Sequence, residues 1–469
     1  MKKSLQIALS MTIVILLTAS CSLSVGTSVN ADSSVDDWPM FHHDLAHTGY
    51  STSTAPTTNQ TLWIFTTGDA VTTSPSVVDG LVYFGSDDGN VYAVNASSGA
   101  LIWNYSTGGP VQSSPSVLDG VVYIGGFHSH AVYALNASSG VPLWNSPINS
   151  SYPNIVSSTA VANGFVYVDV SNVDESGGRL YALNATTGIL AWQYQPGAWL
   201  TSSPAVYGDM VYIGTSTGNV VSLNAKSGNV LWSYYVREDG SNSPSGSGYG
   251  PVSSSMSISK GFVYFGVAAE MVQALNASTG AFVWSGRVVG GVSSSCAAVS
   301  NGMVYQSTTY GGNSSLDLHA GGVCALNATT GTLLWTRTVG SITQSSPAVA
   351  DGIVYVGSDS ATLNYLGGTG PFNFYALNAT TGTILWTYTA DGPIYSSPAI
   401  ANGAVYVGSN DGKVYAFGTT QNTLSPMPSA SPTSSPNPSP SVPEFPTWII
   451  LPLLTAATAS FIALRKRVR

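Results

Sequence analysis

Short apolar runs alternate with small polar and turn-forming residues along most of the chain, in a unit that recurs eight times. Each unit begins with a Ser-rich strand, passes through a two-residue turn, and continues into a strand that contains a Val-Tyr pair. Two-residue turns of the Asp-Gly type between apolar runs are typical of antiparallel hairpins. The turns are Asp79-Gly80, Asp119-Gly120, Asn163-Gly164, Gly208-Asp209, Lys260-Gly261, Asn301-Gly302, Asp351-Gly352 and Asn402-Gly403.

The second half of each unit predicts two more strands. The third strand has the pattern Tyr-Ala-Leu-Asn, and after a Gly-containing turn the fourth strand leads to a tryptophan. A four-stranded unit with a period of roughly 40 to 50 residues is typical of β-propeller blades. We interpret the tryptophans as a structural girdle between blades, because each can bury on the order of 200 Å². The girdle is Trp63, Trp103, Trp144, Trp192, Trp232, Trp284, Trp335 and Trp386.

The two ends of the repeat region are incomplete in complementary ways. The last unit, residues 396–417, stops after its third strand, whereas residues 61–66 contain Trp63 before the first unit begins. The sequence therefore predicts an all-β protein, an eight-bladed β-propeller of four-stranded antiparallel blades, closed by an N-terminal strand that completes the last blade. Closure of this kind removes the open edge of the first and last sheets.

Loop length distinguishes the two faces of the predicted ring. The connections from first to second strand and from third to fourth strand are short, and they should share one face. The insertions fall in the other connections, at residues 145–155, 169–179, 235–252, 308–322 and 358–373. Long loops on a rigid scaffold are where ligands commonly bind. The predicted ligand-binding residues are Trp199, Tyr235, Arg237, Glu238, Tyr249, Tyr310, His319, Tyr365 and Phe372.

Composition and charge exclude one class of partner. The chain of 469 residues has 44% hydrophobic and only 7% charged residues, with 50 Gly, which suits strands and tight turns. Its formal net charge is −9, and six of its 13 basic residues lie at the termini. Nucleic-acid binding needs clustered Lys and Arg. We therefore expect no nucleic-acid partner.

The termini predict export and anchoring. A charged start and the apolar residues 5–19 are typical of a secretory signal, while the residues around Cys21 resemble a lipobox and leave lipidation open. An apolar stretch followed by a basic cluster is typical of one membrane span with a cytoplasmic end. The predicted divisions are a signal peptide over 1–31, an arm over 32–60, the propeller over 61–418, a Ser/Thr/Pro-rich stalk over 419–446, a transmembrane segment over 447–464 and a basic tail over 465–469.

Two resemblances add to this interpretation. The pattern Ala-Leu-Asn-Ala-x-Thr-Gly-x-x-x-Trp, as in residues 325–335, resembles the tryptophan-docking motif of quinoprotein-type (PQQ-like) propeller repeats, with Asn where many of them have Asp. The motif Pro443-Glu444-Phe445-Pro446, with the apolar and basic segments after it, resembles the PEF-CTERM sorting signals of archaeal surface proteins. The second resemblance implies cleavage and attachment to the envelope, and a plain C-terminal anchor is the alternative.

No residue pattern predicts a metal or catalytic site. His128 and His130 lack a third ligand, the arm histidines are expected to pack against the ring, and the acidic residues from Asp169 to Glu175 are typical of a solvated loop. Cys296 and Cys324 should be about two strand spacings apart, roughly 10 Å, and so remain thiols. Candidate glycosylation sites are Asn95, Asn136, Asn184, Asn276, Asn327 and Asn378.

These features favour a membrane-tethered propeller outside the cytoplasm, acting as a binding or scaffold module for a surface protein or a carbohydrate. The quinoprotein resemblance leaves a dehydrogenase dependent on PQQ and calcium as an alternative, although no catalytic residue can be assigned to it. A second alternative is an envelope protein-assembly factor. No cofactor is predicted for the favoured function.

Overall fold

The computed structural model describes the repeat region and the arm that precedes it. The described residues are 36–148, 153–172, 177–200, 202–236, 251–252, 254–267, 270–292, 294–309, 321–342, 344–359 and 371–419. The predicted signal peptide, span and basic tail lie outside these residues, as does the stalk beyond residue 419. Within the described part of the chain, no helix is long and apolar enough to cross a membrane.

All regular structure in the described residues is β-strand. The first nineteen strands are β1 (Tyr50–Ser51), β2 (Thr61–Thr66), β3 (Ser76–Val78), β4 (Leu81–Gly85), β5 (Asn90–Asn95), β6 (Leu101–Ser106), β7 (Ser116–Leu118), β8 (Val121–Gly126), β9 (Ala131–Asn136), β10 (Pro142–Pro147), β11 (Pro153–Asn154), β12 (Ala160–Ala162), β13 (Phe165–Asn172), β14 (Gly178–Asn184), β15 (Leu190–Tyr194), β16 (Ala205–Tyr207), β17 (Met210–Gly214), β18 (Asn219–Asn224) and β19 (Val230–Tyr235). The others are β20 (Ser257–Ser259), β21 (Phe262–Val267), β22 (Met271–Asn276), β23 (Phe282–Arg287), β24 (Gly291–Val292), β25 (Ala298–Ser300), β26 (Met303–Thr309), β27 (Gly322–Asn327), β28 (Leu333–Thr338), β29 (Ala348–Ala350), β30 (Ile353–Gly357), β31 (Phe372–Asn378), β32 (Ile384–Ala390), β33 (Ala399–Ala401), β34 (Ala404–Ser409) and β35 (Lys413–Gly418).

The blade strands form eight antiparallel sheets, which confirms the predicted eight-bladed propeller, and β1 pairs in parallel with β29 at the edge of one of them. Blades one to seven are β3–β6, β7–β10, β12–β15, β16–β19, β20–β23, β25–β28 and β29–β32. In the eighth blade β2 pairs with β35, with Ile64 opposite Tyr415 and Thr66 opposite Lys413. The N-terminal strand therefore closes the ring, as predicted.

The first-to-second-strand turns adopt the conformation that their sequences predict. Seven of the eight have positive φ at both central residues, as a type I′ turn requires. Lys260 is among them at φ 50°, although Lys has no special tolerance for that region. The exception is Gly208-Asp209, where only Gly208, at φ 61°, is positive, as in a type II′ turn.

The two kinds of short connection lie on the same face of the ring. In the first blade the backbone N–H of Ala96, after the third strand, donates to the carbonyl of Gly80 in the hairpin turn, and the bond recurs from Ala137 to Gly120. We call this side the plain face. The remaining connections meet on the opposite side, where Asp87 N–H donates to Ala70 O and Asn410 N–H to Pro393 O. We call that side the elaborated face.

Seven of the girdle tryptophans dock on the next blade through a hydrogen bond and a close contact with a glycine, whereas Trp386 donates to Pro56, which precedes β2. Trp103 Nε1 donates to Ala137 O at 2.7 Å, and a Cβ added to Gly140 would lie 2.6 Å from the Trp103 ring. Ala137 O also accepts a bond from the Tyr83 hydroxyl. The other acceptors of the tryptophan Nε1 groups are Ala96, Ala185, Ala225, Ala277, Ala328, Ala379 and, for Trp386, Pro56.

Loss of one such donor should measurably weaken the ring. We expect Trp103→Phe to lower the free energy of unfolding by about 1 kcal/mol, because Ala137 O loses one of its two side-chain donors and keeps only the Tyr83 hydroxyl. Urea denaturation of the full-length chain measures this change. Trp199→Phe is the matched control, since Trp199 is 48% exposed and outside the girdle, and should shift stability by less than about 0.5 kcal/mol.

The N-terminal arm lies inside the ring rather than beside it. Its carbonyls accept bonds from the second residue of successive first strands, beginning with Val77 N–H to Trp38 O and Val117 N–H to Pro39 O. The same bond joins Val206 to Leu45, Ile258 to Ala46, Val299 to Thr48 and Val349 to Gly49. One segment thus contacts six of the eight blades. It lies near the ring axis, on the side of the plain face.

The arm buries two histidines, which should make the protein sensitive to acid. Burial lowers the pKa of His47 to about 3, and that of His42 is also lowered. The neutral forms therefore stabilise the fold above the ordinary histidine pKa of about 6.5, and this stability is lost as the pH falls towards 3.

His47→Gln tests this effect. Because one depressed histidine costs up to about 1.4 kcal/mol per pH unit, the free energy of unfolding of the unmodified chain should fall more steeply between about pH 6 and pH 4 than that of the variant. Urea denaturation over that range measures both slopes. Equal slopes for the unmodified chain and the variant would contradict the prediction.

Candidate functional site: an axial cavity on the elaborated face

A ring of small polar residues surrounds the axis where each first strand begins. The ring residues are Ser74, Ser114, Ser158, Ser203, Ser255, Cys296, Ser346 and Ser397. Backbone N–H groups donate from blade to blade to the hydroxyls of this ring, for example from Ser203 to Ser255 at 2.8 Å and from Ser346 to Ser397 at 2.9 Å. Ser397 N–H donates to Ser74 Oγ at 3.0 Å, across the closure between blades eight and one. We call this set the serine ring.

A cavity of about 690 Å³ opens from the serine ring towards the elaborated face. Two residues before the ring, the chain places a more varied set of side chains around the same axis: Thr72, Gln112, Val156, Ser294, Gln344 and Tyr395 line the cavity. Phe41 of the arm also lines it. Since the arm bonds lie further along the first strands, towards the plain face, the arm forms the floor and the elaborated face the entrance.

One carboxyl group in the cavity wall is buried without a partner. Asp169 is 3% exposed, and neither carboxylate oxygen has a hydrogen-bond partner among the described residues. Only its backbone is bonded, with N–H donating to Ser157 Oγ at 2.9 Å and its carbonyl accepting from that hydroxyl at 3.0 Å. Burial raises the pKa of the Asp169 carboxyl well above the ordinary 3.8. Such groups are rare in folded proteins and call for an explanation.

The position of Asp169 is occupied by glycine in most other blades. The equivalents that follow the Val-Tyr pair by two residues are Gly85, Gly125, Gly214, Gly266, Ser307, Gly357 and Gly408. A Cβ at Gly85 would meet Val111 at 2.3 Å, and one at Gly125 would meet Ile155 at 2.2 Å. These blades therefore leave no room for a side chain, whereas the third blade accommodates a carboxymethyl group that lines the cavity.

The charged residues of the described cavity wall are both acidic. Asp87 is the second carboxyl, and its Oδ1 accepts a bond from Gln112 Nε2 at 3.1 Å. The pKa of Asp87 is raised, because burial and the charges of Asp69 and Asp88 outweigh the hydrogen bond from Gln112, which lowers it. No Lys, Arg or His is among the described residues that line the cavity. The site is therefore suited to a ligand that is neutral or positively charged.

Three of the predicted ligand-binding residues are described, and they lie in three different elements. Trp199 is exposed beside Leu200, which lines the cavity. Tyr235 ends β19 and Phe372 begins β31, so both lie on strands of the outer half of their blades rather than in loops. Their role in binding stays a prediction. The others, Arg237, Glu238, Tyr249, Tyr310, His319 and Tyr365, lie outside the described residues.

The expectation that Asp169 lies in a loop is wrong. Val168 and Val170 continue the buried face of β13, which extends to Asn172 and pairs with β14 and β11, so Asp169 is a strand residue. Asp174 and Glu175 lie outside the described part. Among described residues, no cluster of three or more His, Cys, Asp or Glu is arranged to hold a metal. Cys296 and Cys324 are buried free thiols, as predicted.

A family model matches most of this chain. The family described as "Outer membrane protein assembly factor BamB" matches residues 49–159, 127–270, 268–368 and 319–424. The chain belongs to this family. A BamB of Yersinia pestis is 31% identical over 154 residues, which cover 31% of this chain and 36% of that protein. This match therefore covers only about a third of the length of either protein.

A longer match joins this BamB-family chain to an enzyme. It is 28% identical to a tetrathionate hydrolase of Acidithiobacillus ferrooxidans over 405 residues, which cover 79% of this chain and 68% of that protein. Among solved structures, BamB from Moraxella catarrhalis gives a TM-score of 0.61 at 18% identity, covering 77% of this chain and 99% of that one. A quinohemoprotein alcohol dehydrogenase from Comamonas testosteroni gives 0.67 at 15% identity, covering 82% and 80%. These structural likenesses show the fold.

The quinone that the dehydrogenase structures suggest does not fit the described cavity. Pyrroloquinoline quinone has three carboxylate groups, and an anion of this kind needs cationic or N–H donors around it. The described wall instead presents Asp87 and Asp169 with no basic side chain. These residues therefore support no catalytic step through a quinone.

Proposed function

We propose that this BamB-family propeller is a binding module outside the cytoplasm, which receives part of a protein or carbohydrate ligand in its axial cavity from the elaborated face. The observation that supports this most is the cavity itself, because polar groups of all eight blades converge on it and one of them, Asp169, is buried without a partner. Concave sites with a few converging polar groups are typical of ligand binding.

The location rests on the sequence of the termini and on the relatives. The apolar residues 5–19 and the Pro443-Glu444-Phe445-Pro446 motif with its apolar and basic segments support export and a tether at the envelope. Relatives named as outer membrane protein assembly factors support a protein partner. A role in envelope protein assembly is thus one form of the proposed binding function.

The tetrathionate hydrolase relative supplies a second candidate, since it matches over 79% of this chain. The acidic wall disfavours it, because tetrathionate is a dianion and would meet Asp87 and Asp169. Incubating the full-length chain with tetrathionate, with Asp169→Asn alongside, gives a direct test. Release of sulfur products by the unmodified chain alone would favour the hydrolase.

Blocking the cavity tests the binding function while the ligand is still unidentified. Gln344 is exposed and lines the cavity, whereas Ala100 is exposed on the plain face. Gln344→Cys and Ala100→Cys, each in a Cys21→Ser full-length chain, would be labelled with a bulky maleimide. Burial raises the pKa of Cys296 and Cys324 to about 12, so the native thiols should not react.

The labelled chains would then be screened on glycan and peptide arrays. We expect ligands of the unlabelled chain to be lost when the label is at residue 344 and retained when it is at residue 100. The reverse pattern, or no ligand on either array, would contradict a binding site in the cavity.

A further inference from the structure

The unpartnered polar atoms of the cavity wall are hydrogen-bond acceptors or hydroxyls. Besides the two carboxylate oxygens of Asp169, they are Asn410 Oδ1 and Thr72 Oγ1, all buried and without partners among the described residues. Each of these three residues lines the cavity. A buried acceptor without a donor costs roughly 1–3 kcal/mol. A ligand that brings N–H or O–H donors would remove this cost.

The charge of the cavity wall distinguishes a ligand with a cationic donor group from a ligand with a neutral one. A hydroxyl group of a neutral carbohydrate can bond to the protonated form of Asp169, but it cannot compensate the charge of the ionised carboxylate in a buried place. An ammonium or guanidinium group supplies both donors and charge, and the described lining contains no Lys, Arg or His that already does so. The second carboxyl, Asp87, adds negative potential at the same cavity.

We infer that the axial cavity binds a ligand's ammonium or guanidinium group, which pairs with Asp169 and takes acceptors from the surrounding wall. This inference rests on the proposed function and names the chemistry that the site selects. The group can belong to a small free amine or to a Lys or Arg side chain of a protein segment that enters from the elaborated face. The interaction is an ion pair with hydrogen bonds and involves no covalent step.

The repeat itself provides the variants. Asp169→Gly restores the residue that six other blades have at this place, and Asp169→Asn keeps the shape while it removes the charge. Asp119→Asn is the matched control, because Asp119 is exposed in a hairpin turn on the plain face at φ 50°, a conformation that Asn tolerates. All three variants change the formal net charge of the chain by the same amount.

Isothermal titration of the full-length chain would use three probes: cadaverine as a free diamine, N-acetyl-lysine amide as a side chain in peptide form, and N-acetyl-norleucine amide as its uncharged analogue. We expect binding of at least one amine and none of norleucine. Asp169→Asn and Asp169→Gly should weaken amine binding by about tenfold or more, while Asp119→Asn leaves it unchanged. Preference between the two amines distinguishes a small ligand from a protein segment.

Three outcomes would overturn the inference. These are failure of both amines to bind, equal binding by the unmodified chain and both Asp169 variants, and binding of calcium at Asp169 in place of the amines. If a neutral glycan is found on the arrays and is lost only when residue 344 is labelled, while both Asp169 variants keep it, the cavity still binds a ligand and only the cationic chemistry is wrong.

Discussion

The propeller should lose cooperative unfolding when residues 36–66 are deleted from the full-length chain. The deletion removes β2, so the eighth blade keeps three strands and β35 becomes an open edge. It also removes Trp63, whose Nε1 donates to Ala96 O, and the arm carbonyls that accept bonds from six blades. We expect a thermal midpoint lower by more than about 10 °C, or aggregation in place of a folded ring.

A single substitution measures the closure alone. Trp63→Ala leaves β2 and the arm in place but removes the ring that packs on Gly99 in the first blade. It should lower the free energy of unfolding by about 3–5 kcal/mol. Deletion of residues 421–442, in the predicted stalk, is the control and should leave the midpoint unchanged. A propeller that unfolds at the same temperature without residues 36–66 would show that the ring does not depend on this strand.

Asp169→Asn should stabilise the protein at neutral pH while it removes the proposed ligand contact. Because the pKa of Asp169 is raised in the folded state, the folded protein keeps a proton at pH values where the unfolded chain has released it. Its contribution to stability is therefore favourable below about pH 3.8 and is lost as the pH rises through the folded-state pKa. We expect the variant to be more stable by about 1–3 kcal/mol at pH 7, with the difference shrinking towards pH 4.

Thermal and urea denaturation of both chains at several pH values would measure this difference. Asp119→Asn should show no comparable stabilisation, because that carboxyl is exposed. A gain of stability on removal of a carboxylate is typical of a residue retained for function. A destabilised Asp169→Asn at pH 7 would show instead that this carboxyl has a structural partner.

The sequence predicts the blades and their closure well because both depend on residues with specific physical roles. Turns such as Asp79-Gly80 need positive φ, and seven girdle tryptophans need a Gly opposite the ring, as Trp103 does at Gly140. The missing fourth strand of the last unit then leaves one place for residues 61–66. These features recur at fixed spacing, so they can be recognised before any tertiary contact is seen.

The path of the arm could not be predicted in the same way. It is held by main-chain carbonyls, such as Leu45 O and Thr48 O, and any residue type provides a carbonyl. The cavity carboxyl escaped prediction for a different reason. The sequence of the third unit has Val-Tyr-Val-Asp where six others have Val-Tyr-x-Gly, and this difference marks Asp169 only when the units are aligned by strand rather than by loop.

The most direct test of the proposed site is the infrared difference spectrum between the full-length chain and Asp169→Asn at about pH 5, where an ordinary aspartate is mostly ionised. We expect the carbonyl band of a protonated carboxylic acid in the free protein, and its replacement by carboxylate bands when cadaverine is added. A spectrum with no such band, or a band that saturating cadaverine leaves unchanged, would contradict the proposal that Asp169 binds a cationic ligand.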